Sequence, residues 1–140
     1  MTRAAFLAVG LLASLLLTGA AGAQRDPDVD AAGRVILEQL DAFRRDDFDT
    51  AFTLASATIH DQFDRPRFEA MVRGGYPEIA RSVSALIEGG QRGDSGELFL
   101  FLTIRGVNGL AVQAVYEMIN ENGRWRVNGV VTRPDPSEKA

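Results

Sequence analysis

The chain contains 140 residues, with 15 Lys and Arg against 19 Asp and Glu and no cysteine. The acidic balance gives no electrostatic footprint for nucleic acid or anionic lipid, which argues against both as partners. Without cysteine the protein forms no disulfide, so a domain of this length must be held together by a hydrophobic core.

The first 23 residues have the pattern of a bacterial secretory signal peptide. Arg3 precedes an apolar run over residues 4–17, and Ala21-Gly22-Ala23 forms a small-x-small cleavage site before Gln24. The run is shorter than the roughly 20 apolar residues that a membrane-spanning helix needs. We expect cleavage after Ala23 and export to the periplasm or the medium, with no membrane contact afterwards; an uncleaved tether is the alternative.

The first half of the mature chain has helical periodicity. Asp30 is the predicted cap of a first helix, whose apolar residues recur at i, i+3 and i+4, and a second helix is predicted to start near Phe48. Residues 56–63 are less regular and predict a turn with a short helix. Asp64 caps a further helix, which ends at Gly74-Gly75.

The second half changes to the pattern of β-strands. Residues 81–88 alternate weakly, and residues 97–104 are apolar at nearly every position, which is typical of a strand covered on both faces. Asn108-Gly109 and Asn122-Gly123 stand between apolar runs, and Asn-Gly is the strongest short signal for a β-hairpin. The sequence therefore predicts four strands in an antiparallel meander.

Helices followed by such a meander predict an α+β fold, with N-terminal helices packed on a curved antiparallel sheet of about four strands. A single domain is expected over residues 31–132. It lies between a flexible start at residues 24–30 and a disordered tail at residues 133–140.

Two-residue turns at both Asn-Gly pairs would fix which side chains share a face of the sheet. Glu121 would face Arg124, and Val107 would face Leu110. The face predicted to pack on the helices holds Phe99, Phe101, Thr103, Ala114, Tyr116, Met118, Val127, Gly129 and Val131.

The opposite face is apolar enough to predict a two-fold homodimer, because a contiguous apolar surface usually marks an interface. Coverage by a helix or by the C-terminal tail is the alternative. The predicted interface residues are Leu98, Leu100, Leu102, Ile104, Val115 and Val130.

Three stretches carry a family resemblance. They are QLDAFRRDDF at residues 39–48, FEAMVRGGYP at residues 68–77, and YEM with GRWRVNGV at residues 116–130. Together they resemble the uncharacterised family called domain of unknown function 4864, and the element order is similar to the nuclear transport factor 2-like (cystatin-like) cone fold. The resemblance implies the fold class and export but no reaction, because that superfamily hosts isomerases, dehydratases, binding modules and assembly domains.

His60 and Tyr116 are the catalytic candidates. His60 is the single histidine, and an imidazole exchanges protons near neutral pH; the alternative is a polar loop residue with no role. Superfamily isomerases need an inward carboxylate, whereas Glu97, Glu117 and Glu121 are predicted at an edge or on the opposite face. No metal site or cofactor is predicted, because one histidine with scattered carboxylates lacks ligand spacing.

The resemblance also implies a pocket between the helices and the inward face of the sheet. Phe99, Phe101, Thr103, Tyr116 and Tyr76 are predicted to line it, with hydroxyl groups orienting a ligand in an apolar cavity. The alternative for Tyr116 is a core ring whose hydroxyl finds a backbone partner.

Three functions stay open on the sequence. The first is a non-catalytic exported domain that binds a small apolar ligand or a protein partner. The second is an enzyme of the lyase or isomerase type, using His60 or a carboxylate together with Tyr116. The third is a structural or assembly module with a filled core. A cavity at Tyr116, and the presence or absence of a carboxylate in it, separates these functions.

Overall fold

The computed structural model describes residues 26–138, so the predicted signal peptide and its cleavage site lie outside the described residues. Within that range, no helix is long and apolar enough to cross a bilayer. The helices are α1 (Pro27–Arg44), α2 (Phe48–Thr53), α3 (Ala57–Gln62), α4 (Arg65–Gly75) and α5 (Pro77–Ala80). The strands are β1 (Ser82–Arg92), β2 (Leu98–Gly106), β3 (Ala111–Glu121) and β4 (Arg124–Pro134), and a 3-10 helix, Pro136–Glu138, follows.

Helix α1 begins earlier than predicted. Its N-cap is Asp26 rather than Asp30, because the Asp26 carboxylate accepts a hydrogen bond from the Asp28 backbone N–H at 2.9 Å and Pro27 occupies the first turn. The stretch predicted as a flexible start is therefore helical from Pro27. The buried side of the helix carries Ala32, Ile36, Leu40 and Phe43 at helical spacing.

The end of α1 is fixed by Asp46, which has a positive φ of 57°. The Asp46 N–H bonds to the Phe43 carbonyl at 3.0 Å and the Asp47 N–H to the Ala42 carbonyl at 2.8 Å, which is the Schellman pattern. The Asp46 carboxylate also accepts hydrogen bonds from Arg73 on α4 and from Arg81 before β1, at 3.0 and 2.7 Å. One exposed residue thus joins three elements.

The four strands form one antiparallel sheet in the order β1-β2-β3-β4, which confirms the predicted α+β class. Asp64 caps α4 as predicted, through a 2.9 Å hydrogen bond from the Arg67 N–H. Strand β4 continues to Pro134, beyond the predicted end of the domain at residue 132.

The turn between β3 and β4 has the predicted geometry. Glu121 pairs with Arg124, and Asn122 and Gly123 have φ of 56° and 86°. Positive φ at both central residues is the signature of a two-residue type I′ turn.

The predicted turn between β2 and β3 is wrong by one residue. Arg105 pairs with Ala111, and the Gly106 N–H bonds to the Leu110 carbonyl, which leaves a three-residue loop in place of the predicted two-residue turn. Gly109 has a positive φ of 82°, and its N–H bonds to the Gly106 carbonyl at 3.0 Å. This is the arrangement of a tight turn followed by a left-handed residue, the common three-residue hairpin.

That shift reverses the predicted faces of β2, because side chains alternate along a strand. Leu100 pairs with Tyr116, and Phe101 pairs with Val115, so Phe101 and Tyr116 point to opposite sides of the sheet. The inward residues of β2 are the fully buried Leu98, Leu100, Leu102 and Ile104. The predicted pocket residues Phe99, Phe101 and Thr103 lie on the outer face instead.

The predicted face of Val130 is also wrong, because β4 contains a bulge. Met118 pairs with Val127 but Tyr116 pairs with Val130, so Asn128 is the extra residue. Val130 therefore points inward with Tyr116, and Val131 points outward opposite Val115. Five of the six predicted interface residues are thus on the helical side of the sheet; only Val115 is on the outer face.

The core lies between α1 and the inner face of the sheet. It is closed at one end by an aromatic group, in which the Phe43 ring lies 5.2 Å from that of Phe48 and 6.0 Å from that of Phe68. The helices leave a gap over the part of the inner face that Tyr116 and Val130 occupy.

Candidate functional site

A cleft of about 320 Å³ opens between the helices and the inner face of the sheet. Its size is in the range of small-molecule sites. Side chains from α1, α3, α4 and the last two strands form its walls. The lining residues are Gln39, Phe43, Ala55, Ile59, Gln62, Phe63, Phe68, Met71, Val72, Tyr76, Ile79, Tyr116, Val127, Asn128, Gly129 and Val130.

Tyr116 contributes to the cleft a buried side chain whose hydroxyl has no hydrogen-bond partner. Its side chain is 1% exposed, and among the buried polar side-chain atoms of residues 26–138 its hydroxyl alone lacks a hydrogen-bond partner. A buried unpaired hydroxyl destabilises a protein by about 1–3 kcal/mol. Burial raises the pKa of Tyr116, and the nearby Tyr76 adds to this, so the phenol keeps its proton and is available as a donor.

Three other polar groups around the cleft are engaged with the protein. The buried Gln39 donates its Nε2 to the Ala51 carbonyl at 3.0 Å, and the Tyr76 hydroxyl donates to the Val130 carbonyl at 3.4 Å. The Ser56 hydroxyl donates to Asn128 Oδ1 at 2.7 Å. The cleft is therefore mainly apolar. Gln62 adds an exposed amide to the lining, and Tyr116 adds a buried hydroxyl that has no partner.

The β4 bulge helps to build one wall. At Asn128 the strand departs from regular pairing, and the Val127 backbone bonds instead to Leu54 and Ser56 at 2.9 Å each. The Glu121 carboxylate accepts from the Ala57 N–H, at 2.9 Å, which fixes the start of α3. These contacts hold α3 over the cleft, although none of its six residues is fully buried.

No charged side chain is found among the described residues that line the cleft. The lining thus contains amide and phenol groups but neither a carboxylate nor an imidazole. Across residues 26–138, no three His, Asp or Glu side chains come close enough together to hold a metal ion. The arrangement can donate a hydrogen bond in an apolar setting, and it has no evident base for proton abstraction.

His60 does not line the cleft. It lies exposed on α3, its ring is stacked on that of Phe52 with centroids 3.8 Å apart, and its Nε2 lies 2.7 Å from the Phe52 carbonyl oxygen. These contacts give His60 a packing role at the end of the aromatic group.

The structure brings together two of the five predicted pocket residues, Tyr116 and Tyr76. Phe101 is instead part of a shallow groove on the outer face of the sheet, and Phe99 and Thr103 are its neighbours on β2.

Three polar residues of the cleft, Gln39, Gln62 and Asn128, were not predicted from the sequence. Gln39 had a usable signal, because it is a polar residue within the apolar stripe of α1. Asn128 had none, since its position depends on the bulge.

Comparison with known proteins gives a family but no function. The family model described as domain of unknown function (DUF4864) matches residues 25–140, which is well over half of the chain. The searches of curated proteins and of solved structures each found no match. The chain belongs to the DUF4864 family.

Proposed function

We propose that the protein is a non-catalytic binding domain for a small, neutral and mainly apolar molecule that accepts a hydrogen bond from Tyr116. The observation that carries the proposal is an apolar cleft of about 320 Å³ whose wall includes Tyr116, the residue with the buried, unpaired hydroxyl. A ligand carbonyl or ether oxygen would satisfy that hydroxyl, and its apolar part would contact Phe63, Phe68 and Met71. We also propose that the fold is of the nuclear transport factor 2-like type.

The charge of the ligand follows from the lining. An ion moved into an apolar site without a countercharge loses its hydration and gains no partner. Because the described lining offers no countercharge, the cleft favours neutral molecules. The same feature argues against the lyase or isomerase alternative, which needs a base near the reacting carbon.

Three probes of similar size test this proposal. Acetophenone carries a carbonyl, α-methylstyrene has nearly the same shape without an acceptor, and benzoate is an anion. We expect both neutral probes to bind, acetophenone about fivefold more tightly because one neutral hydrogen bond contributes about 1 kcal/mol. Benzoate should not bind. Chemical-shift titration by NMR measures all three.

Two variants, each with a matched control, locate the binding. Tyr116→Phe should make acetophenone and α-methylstyrene equal, whereas Tyr76→Phe should leave their ratio unchanged. Met71→Trp should fill the cleft and abolish binding of both, and Leu37→Trp, on the exposed side of α1, is its control. Absence of binding by either neutral probe would contradict the proposal, as would equal binding of benzoate.

Export to the periplasm or the medium is part of the same proposal, and it is supported by the sequence of the first 23 residues. The intact mass of the protein recovered from the producing bacterium tests it. We expect a chain that begins at Gln24; a chain that retains residues 1–23 would contradict processing.

A further inference from the structure

The outer face of the sheet exposes a row of apolar side chains. Phe101, Val115 and Val131 are paired across β2, β3 and β4, and Leu86 on β1 lies one row away. Leu86, Phe101 and Val131 are 62%, 37% and 73% exposed. An exposed apolar group of this kind on a sheet is typical of an interaction surface.

A polar row lies next to the apolar one. Thr103 pairs with Gln113, and Gln113 pairs with Arg133. Glu88 on β1 accepts a hydrogen bond from the Thr103 hydroxyl at 2.7 Å, and Arg133 donates its Nε to Gln113 Oε1 at 2.8 Å. The register partner of Thr103 on β1 is Leu86, and Glu88 reaches Thr103 from the bulge between Ile87 and Gly89. The polar side chains across the sheet are therefore an acid, a hydroxyl, an amide and a base.

Both rows border one groove of about 330 Å³, which has Glu88 on one side and Arg133 on the other. The acid is on the first strand of the sheet and the base is on the last. A partner that fits must offer an apolar centre, a base facing β1 and an acid facing β4.

We propose that a second copy of this chain covers the outer face, related by a two-fold axis that runs parallel to the strands between β2 and β3. This rotation places β1 of one copy on β4 of the other. The row is then superposed on the same row of the partner in reverse order, so Thr103 faces the partner's Gln113 and Leu86 lies over the partner's Arg133. Glu88, displaced along β1 by the bulge, pairs with the charged end of the partner's Arg133 at both edges of the interface. Phe101 faces the partner's Val115 in the same way.

The choice of a second copy rests on this self-complementarity, which a two-fold interface requires. Face-to-face sheets pack with their strands nearly aligned, about 10 Å apart, a distance that side chains of this length fill. The net charge of −4 does not favour an anionic membrane or a nucleic acid on this face. Only Val115 is shared between this surface and the interface predicted from the sequence.

Charge reversal tests the pairing. Sedimentation velocity of the purified protein across a concentration series should show a dimer. Glu88→Arg alone and Arg133→Glu alone each place like charges at both ends of the interface, and each should raise the dissociation constant about 100-fold. The double variant Glu88→Arg with Arg133→Glu restores opposite charges and should return to within about tenfold of the original.

Both substituted side chains are exposed, so the variants should fold, and thermal unfolding checks this. Arg34→Glu, on the exposed side of α1, is the matched charge-reversal control and should leave the dimer intact. Acetophenone binding in the cleft should be unchanged in every variant, which separates this proposal from the previous one.

Three results would overturn the proposal. The first is a monomer at every concentration, whether the face is bare or another molecule covers it. The second is a dimer that both single reversals leave intact. The third is a double variant that stays as dissociated as the single ones.

Discussion

The two faces of the sheet are both apolar at their centres, yet they meet different surroundings. The inner face presents Leu98, Leu100, Leu102 and Ile104 to the helices, and all four are buried. The outer face presents Phe101 and Val131 to solvent, next to a row of paired polar side chains. Hydrophobicity alone therefore does not tell which face forms the core; the hydrogen-bond register decides it.

The polar groups of the two faces also differ. On the inner side, Tyr116, with its buried and unpaired hydroxyl, lines an apolar cleft, for which we propose a small neutral ligand. On the outer side, Glu88 and Arg133 lie on opposite sides of an exposed groove, for which we propose a second copy of the chain. Matched substitutions on the two faces test this contrast.

The largest difference is expected between Leu100→Asp and Phe101→Asp. Leu100 is fully buried, so a carboxylate there should lower the free energy of unfolding by more than about 4 kcal/mol and leave little folded protein. Phe101 is partly exposed, and its replacement should change the free energy by less than about 1 kcal/mol. Urea denaturation at a low protein concentration measures both. Equal losses would mean that the faces are assigned wrongly.

A smaller difference is expected between two glycines. A Cβ on the buried Gly106 would lie 2.9 Å from the Glu78 Cα, so Gly106→Ala should destabilise the protein by about 1–3 kcal/mol. A Cβ on Gly129 has no atom within 4 Å, and Gly129→Ala should stay within about 0.5 kcal/mol of the original. The same urea series compares them, and a tolerated Gly106→Ala would show that α5 does not press on β2.

Tyr116→Phe should stabilise the unliganded protein by about 1 kcal/mol, because it removes a buried hydroxyl that has no partner. Tyr76→Phe is the control. It removes a long hydrogen bond to the Val130 carbonyl and should change stability by less than about 0.5 kcal/mol. Thermal unfolding without ligand measures both, and a destabilised Tyr116→Phe would indicate that the hydroxyl has a partner.

The smallest expected effect on stability comes from the ion pairs that Asp46 forms with Arg73 on α4 and with Arg81 before β1. Hydrogen bonds from Arg73 and then Arg81 lower the pKa of Asp46 below its ordinary value. The folded-state pKa is thus below the unfolded one, so this stabilisation is present above about pH 4 and is lost as the pH falls through the folded-state pKa.

Asp46→Asn keeps a residue that tolerates positive φ but removes the charge. Its unfolding temperature should therefore fall less than that of the original protein between pH 5 and pH 3, and the difference should shrink in 1 M salt. Parallel pH profiles of the two proteins would show that Asp46 does not contribute in this way.

Much of the fold could be predicted from local signals. The helix-then-sheet order, the Asp64 cap and the Asn122-Gly123 turn each depend on residues close in sequence, and each is confirmed. The α1 start was misplaced because Asp26 and Asp30 both offer a capping carboxylate.

The length of the loop between β2 and β3 could not be predicted from the local sequence, because Asn-Gly fits both a two-residue and a three-residue loop. Here Asn108 donates to Glu78 Oε2 at 2.8 Å and accepts from the Leu110 N–H at 3.0 Å. The first contact is with α5, far away in sequence. The sequence of β2 does not indicate which of its faces is buried, since its residues are apolar on both faces.

The residues of the candidate site likewise differ in whether the local sequence predicts their position. Tyr116 and Tyr76 could be predicted, because β3 keeps its inward residues in either register and Tyr76 follows a helix end. Val130 and Asn128 could not, since a bulge shifts a strand without a clear sequence signal.

The crystal structure of the complex with acetophenone tests the central claim most directly. We predict that the ligand carbonyl oxygen lies about 2.7 Å from the Tyr116 hydroxyl oxygen, with the phenyl ring between α4 and the inner face of the sheet. A ligand bound elsewhere, or one whose carbonyl points away from Tyr116, would contradict the account.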